Sequence, residues 1–98
     1  MIGPLESSLE GYLVAEIELR RGVCWKLSPQ GNAGVPDRFA AIPGCRVAVI
    51  ELKRRGQKAR ELQLHRLQQA REAGLLAFVV DNRVTIDRAI KDMEATRG

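Results

Sequence analysis

Apolar residues recur along this chain with two periods, helical and strand-like, that alternate. After Pro4, the stretch LESSLEGYLVAEIELRR places Leu9, Leu13 and Ile17 at helical spacing. Arg20 and Arg21 suit the negative end of that helix's dipole, and Gly22 reads as its stop. VCWKL (23–27) has strand composition and runs into SPQGNAGVPD, a succession of turn formers. RFAAI and RVAVIEL flank Pro43-Gly44, which predicts a hairpin. KRRGQK is a basic connection. KARELQLHRLQQAREA reads as a long helix closed by Gly74, with Leu62, Leu67 and Ala70 toward the core. LLAFVV (75–80) is almost wholly apolar, as in a strand buried on both faces. DNRVT reads as a turn, and Thr85 or Asp87 as the start of a last short helix through IDRAIKDMEA. The predicted order is α-β-β-β-α-β-α, an α/β fold with a mixed sheet flanked by helices. Residues 1–98 are expected to form a single domain.

Charges at the strand ends complicate this picture. Side chains alternate faces along a strand, so Val47, Val49, Glu51 and Lys53 share one face, and Ala48, Ile50 and Leu52 the other. Asp37 and Glu51 are equidistant in sequence from Gly44, so a hairpin turning there sets them opposite or nearly so, with Cβ atoms about 5 Å apart. Carboxylates that close repel, which raises one pKa or calls for a cation between them. Lys53 offsets part of this, and a divalent metal would do so more fully, since Mg²⁺ typically takes one or two carboxylates with waters and phosphate oxygens. The competing reading is a solvated strand end with an incidental salt bridge. On a helical wheel, Glu6 and Glu10 fall in the sector of Leu9, Leu13 and Ile17, whereas Glu16 and Glu18 fall outside it or at its margin. They are either first-turn carboxylates favoured by the dipole, which suits Glu6 better, or a third carboxylate aimed at the Asp37–Glu51 pair.

Composition narrows the choice only partly. A 98-residue domain buries roughly 60–65% of its unfolded surface, so partner subunits are a plausible source of further burial. The net charge of +4 is compatible with a polyanionic partner without establishing one. No run approaches a membrane span, and the start, MIGPLESSLEG, lacks the basic and apolar regions of a signal peptide, so the cytoplasm is the expected compartment. Cys24 and Cys45 form no CxxC pair and read as buried strand thiols. With one histidine, His65, the common zinc sites are unsupported, and His65 reads as a helix-surface residue. Gln63, beside the apolar stripe of its helix, reads by itself as a surface glutamine. Trp25 and Phe39 read as core anchors rather than base-stacking platforms. The basic run Lys53-Arg54-Arg55, followed by Lys58 and Arg60, is either a solvated loop or a phosphate-binding segment beside the carboxylates.

Pro36-Asp37 followed by Glu51-Leu52-Lys53 looks like the PD-(D/E)XK nuclease signature, Pro-Asp and then Glu-x-Lys. More of the chain resembles one branch of that group, the VRR-NUC domain, a virus-type replication and repair nuclease module, in its small stand-alone phage and bacterial form. The resemblance runs in order through ESSLEGYLV, GVCWKL, SPQGNAGVPDRF, VIELKRRGQK, the helical Gln63 and GLLAFVVD. It departs before Gln63, where the family often has a Leu-Ser-Pro-x-Gln turn and this chain reads Ala59-Arg60-Glu61-Leu62-Gln63. The resemblance implies a restriction-endonuclease-like core and a Mg²⁺- or Mn²⁺-dependent DNA endonuclease. Asp37 and Glu51 would be metal ligands with the Leu52 carbonyl, joined by a glutamate of the first helix, Glu6 or in reserve Glu10. Lys53 would orient or activate the attacking water, and Gln63 would support the site. Lys26, Arg38, Arg54, Arg55 and Lys58 would contact nucleic acid. The small stand-alone members resemble homodimeric resolvases of four-way (Holliday) junctions serving DNA repair in a bacterial or phage-infected cytoplasm. A flap endonuclease or nickase, and a catalytically silent DNA-binding module, are the alternatives.

Overall fold

Two antiparallel strand pairs and one parallel pair join four strands into a single mixed sheet of order β1-β2-β3-β4. The computed structural model describes residues 8–28, 33–54 and 57–98. Its elements are α1 (Leu9–Leu19), β1 (Val23–Lys26), β2 (Arg38–Ala41), β3 (Ala48–Leu52), α2 (Glu61–Glu72), β4 (Leu76–Val80) and α3 (Arg83–Glu94), the order read from the sequence. Among the described residues no helix is long and apolar enough to cross a membrane.

Alternation along the strands divides the core into two unequal parts. One face of the sheet sends Cys24, Ala40, Ala48, Ile50 and Val80 against Leu13 and Ile17 of α1 and Ile86, Ile90 and Met93 of α3. The other face sends Val49 and Ala77 against Leu67 of α2. α2 is the crossover between the parallel strands β3 and β4, so it lies over that half of the sheet. Leu62, expected in the core, is 43% exposed. It rests on Gly34, where an added Cβ would come within 2.7 Å of the Leu62 Cγ and where φ is +81°. Only glycine meets both conditions at little cost.

Helix boundaries follow local chemistry that periodicity does not capture. α1 begins at Leu9 because the Ser8 side chain accepts the Gly11 N–H at 3.0 Å. It does not stop at Gly22. Arg21 takes the left-handed conformation (φ 63°), and the Gly22 N–H bonds back to the Ile17 carbonyl at 3.0 Å. Gly22 is needed for a different reason: a Cβ there would meet the Ala41 carbonyl oxygen at 2.4 Å. α3 starts at Arg83, ahead of the expected Thr85 or Asp87, and runs to Glu94. The Asn82 side chain accepts the Thr85 N–H at 2.8 Å while Thr85 Oγ1 accepts the Asn82 N–H at 3.1 Å, so residues 82–85 are a capping box rather than a turn. Cys24 is buried on β1 as expected, and burial raises its thiol pKa. Cys45 is only half-buried and lies in the turn before β3.

Candidate active site

The strand register brings the sequence-predicted pair together. Arg38 faces Ile50 and Phe39 faces Val49. Extending this pairing by one position sets Asp37 opposite Glu51. Asp37 Oδ2 accepts the Leu52 N–H at 2.8 Å, which ties the segment entering β2 to the end of β3. The N–H and C=O of one strand residue point toward the same neighbour, so the Leu52 carbonyl also turns toward Asp37.

Glu51 is the sole buried charged residue among those described, at 2% exposed. Its Oε2 accepts from Lys53 Nζ at 2.9 Å and from Gln63 Nε2 at 2.8 Å. Its Oε1 is buried and has no hydrogen-bond partner. Burial raises the Glu51 pKa, the Lys53 ammonium opposes that rise, the negative charge of Asp37 adds to it, and the Asp37 backbone N–H opposes it in turn. An unsatisfied buried acceptor costs about 1–3 kcal/mol, and more when it is charged. Lys53 keeps only 13% of its side chain in water, so its ammonium is held against the carboxylate rather than free in solvent.

Gln63 is not the plain surface residue its position suggested. It is the third residue of α2, and its Oε1 accepts the Arg60 N–H at 2.8 Å. One side chain thus caps the helix with its oxygen and grips Glu51 with its nitrogen. With arginine rather than Ser, Thr, Asp or Asn at the N-cap, the sequence held no capping pattern to signal this role.

Several expected site residues stand elsewhere. Glu10 bonds Arg38, with Nε and Nη2 both 2.8 Å from Glu10 Oε2, while Arg38 Nη1 donates to the Cys24 carbonyl at 3.1 Å. Arg38 and Ala40 share the face covered by α1 and α3, whereas Glu51 and Val49 lie on the face covered by α2. Glu10 is therefore spent on Arg38 and does not join Asp37 and Glu51. Arg38, expected at the nucleic acid, is held in that pair with 13% of its side chain exposed. Among the described residues no group of three or more carboxylate, histidine or cysteine side chains is arranged to hold a metal. Glu6 and Arg55 lie outside the described residues. Lys26, Arg54 and Lys58 are exposed, as is His65.

The residues present fit a hard divalent cation. The donors are all oxygen, one of them a buried carboxylate atom lacking any partner. Two carboxylates with a backbone carbonyl match the sparse protein shell that Mg²⁺ accepts when water and phosphate complete it.

Known proteins resemble this chain over most of its length. A protein named "Putative nuclease p44", from Acyrthosiphon pisum secondary endosymbiont phage 1, is 32% identical over 77 residues, which is 79% of this chain and 83% of the relative. A solved structure described as a VRR_NUC domain is 27% identical, with a TM-score of 0.78 over 89% of this chain and 95% of that one. A second, a VRR_NUC domain protein, shares the fold at 16% identity, with a TM-score of 0.71 over 98% and 93% of the two chains. No family model matches the chain. Fold and strand-end chemistry define an α/β domain of the nuclease type. The chain belongs to the VRR-NUC domain nucleases.

Proposed function

We propose that the chain is a metal-dependent, structure-selective DNA endonuclease that works as a homodimer on four-way junctions. The observation that carries the metal-dependent reading is Glu51: a buried carboxylate with one oxygen held by Lys53 and Gln63 and the other left without a donor. A stable binding surface has no use for that arrangement, because it costs folding energy. Mg²⁺ or Mn²⁺ bound by Asp37 and Glu51 would supply Lewis-acid stabilisation of the phosphate and a water made nucleophilic near neutral pH. Glu51 presents its free oxygen and Asp37 the facing carboxylate. Lys53 adds positive charge where phosphodiester hydrolysis develops negative charge, and Gln63 fixes the Glu51 rotamer. Exposed Lys26, Arg54 and Lys58 suit phosphate contacts, so binding weakens with added salt. Paired incision across a junction needs two active sites, which a C2 dimer supplies. The expected setting is DNA repair in a bacterial or phage-infected cytoplasm.

The test compares four-way junction, flap, duplex and single-stranded DNA with Mg²⁺, Mn²⁺ or EDTA. Metal-dependent paired cutting of the junction is expected, with near-complete loss in Asp37→Asn and Lys53→Ala. Variants that cut like the parent would overturn the site. Equal cutting of every substrate would leave a nuclease without the resolvase assignment. Cutting in EDTA would remove the metal. Light scattering tests the dimer, which a monomer at micromolar concentration overturns.

A further inference from the structure

The face that carries Asp37 and Glu51 also holds an aromatic pair outside the core. Trp25 and Phe39 are register partners on β1 and β2, with ring centroids 5.5 Å apart and planes 20° from parallel. Trp25 is 62% exposed, so it is not the core anchor its strand pattern suggested. The reason lies in the topology. Leu67 of α2 covers Val49 and Ala77, the β3 and β4 members of the same row of side chains. Among the described residues, Trp25 and Phe39 stand outside the cluster that Leu67 covers.

The row is close to the site. Phe39 and Asp37 stand two residues apart and on one face, a separation of about 6.7 Å along a strand, and Trp25 lies one strand further, at about 4.8 Å spacing. We propose that Trp25, backed by Phe39, is a stacking platform for an unpaired nucleobase adjacent to the phosphate at Asp37, Glu51 and Lys53. This rests on the nuclease reading above and names the substrate feature that site selects. Every base presents a π-face, so such a platform tolerates sequence while requiring that the base leave its pair. Phe39 stacks on the indole and fixes its orientation, so little side-chain freedom remains to be lost on binding. Lys53 at the site and the net charge of +4 complement a polyanion rather than an apolar partner. A second copy of the chain suits the patch less well. Its exposed apolar side chains are one indole and Val23, whereas stable interfaces bury about 1,200–2,000 Å².

Trp25 is the only tryptophan, so its emission reports directly on this surface. The full chain in EDTA, where no cleavage is expected, is titrated with an oligothymidine strand, a blunt duplex, a duplex containing a short single-stranded gap and a four-way junction. Saturable quenching by the single strand and the gapped duplex is expected, with little change for the blunt duplex. Anisotropy of labelled DNA should show Trp25→Leu weakening single-strand binding roughly 5- to 100-fold, with Trp25→Phe restoring much of it and circular dichroism unchanged in both. Unchanged emission when anisotropy reports binding, or parental affinity in Trp25→Leu, would overturn the platform. Emission that shifts with protein concentration alone, together with a dimer lost in Trp25→Leu, would assign the surface to a second copy and overturn it also. The two readings fail separately. Parental cutting by Asp37→Asn in Mg²⁺ removes the nuclease site and leaves the quenching result standing, while absent quenching with normal cutting removes only the platform.

Discussion

The two faces of the sheet are built from the same strands and differ in almost every physical property. β3 alone sends Ala48 and Ile50 one way and Val49 and Glu51 the other. On the α1–α3 face, Leu13, Ile17, Ile50, Ile86, Ile90 and Met93 are fully buried. Two arginines there pair with glutamates at the edges: Arg38 with Glu10, and Arg20 with Glu94 at 3.0 Å. On the α2 face the covering helix contributes one buried residue, Leu67. A carboxylate is buried there with an unpaired oxygen, and a tryptophan stands in water. Packing is concentrated on one side and the candidate site lies on the other, the division expected when a functional site departs from optimal packing.

The sharpest break of this comparison uses one substitution on each face. Ile90→Ala on the sealed side removes a buried side chain from a filled core and should cost about 2–5 kcal/mol. At roughly 4–8 °C per kcal/mol for a domain of this size, that is a fall of at least about 8 °C in Tm by calorimetry. Glu51→Gln keeps the shape of the buried group, removes its charge, and should leave Tm unchanged or higher near neutral pH while nuclease activity drops at least about 100-fold. A large loss of stability in Glu51→Gln would mean that the charge is structural.

A pH series on the metal-free protein sharpens the same contrast. Burial raises the Glu51 pKa above its ordinary 4.5, so the folded state holds that proton more tightly than the unfolded chain does. The stability contributed by this group is fully present below about pH 4.5 and is lost as pH rises through the higher folded value. The Tm of wild type minus that of Glu51→Gln should therefore fall with rising pH across the weakly acidic range. Millimolar Mg²⁺ should raise the wild-type Tm near neutral pH and leave that of Glu51→Gln nearly unmoved. A flat difference curve would remove the buried charge as the source of strain.

How far sequence led depended on whether the deciding interaction was local. The Asp37–Glu51 apposition was legible because the hairpin is symmetric about Gly44 and strand alternation has a fixed period. The partner of Glu10 was not. A helical wheel places Glu10 toward the sheet but does not say which residue it meets, and alternation puts Arg38, not Asp37, on that face. Strand composition does not show that Trp25 is exposed, because it says nothing about coverage, and among the described residues Leu67 of α2 packs on Val49 and Ala77 rather than on Trp25. The start of α3 was misread because Asn82 and Thr85 satisfy each other's backbone groups, a pairing that outweighed the turn-like composition around it. Gln63 took its role from a strand 12 residues away.

Gln63→Ala probes the link between the half-covered face and its helix. It frees the Arg60 N–H and one donor to Glu51 while leaving Lys53 in place. The expected cost is about 1 kcal/mol in denaturant unfolding, within the range of a lost helix cap. Activity should fall by about 10-fold, less than for Glu51→Gln, because the carboxylate itself remains. Gln63→Glu should do worse in activity than Gln63→Ala, since it sets a second negative charge on the Glu51 carboxylate.

The smallest effect lies at the end of α1, on the sealed side. Arg21 holds a left-handed backbone at φ 63° without being glycine, which costs roughly 1–2 kcal/mol for an ordinary residue. Its side chain is exposed and makes no ion pair among those of the described residues, so nothing visible compensates. Arg21→Gly relieves the strain and also increases the freedom of the unfolded chain, which takes back part of the gain. The net expectation is a rise of about 0.5–1 kcal/mol with activity unchanged. At Gly22 the opposite holds, because the Ala41 carbonyl occupies the space a side chain would need. Gly22→Ala should destabilise the fold even though it makes the helix end look better by propensity. Measuring both substitutions by denaturant unfolding separates strain in one residue from a close approach between two segments.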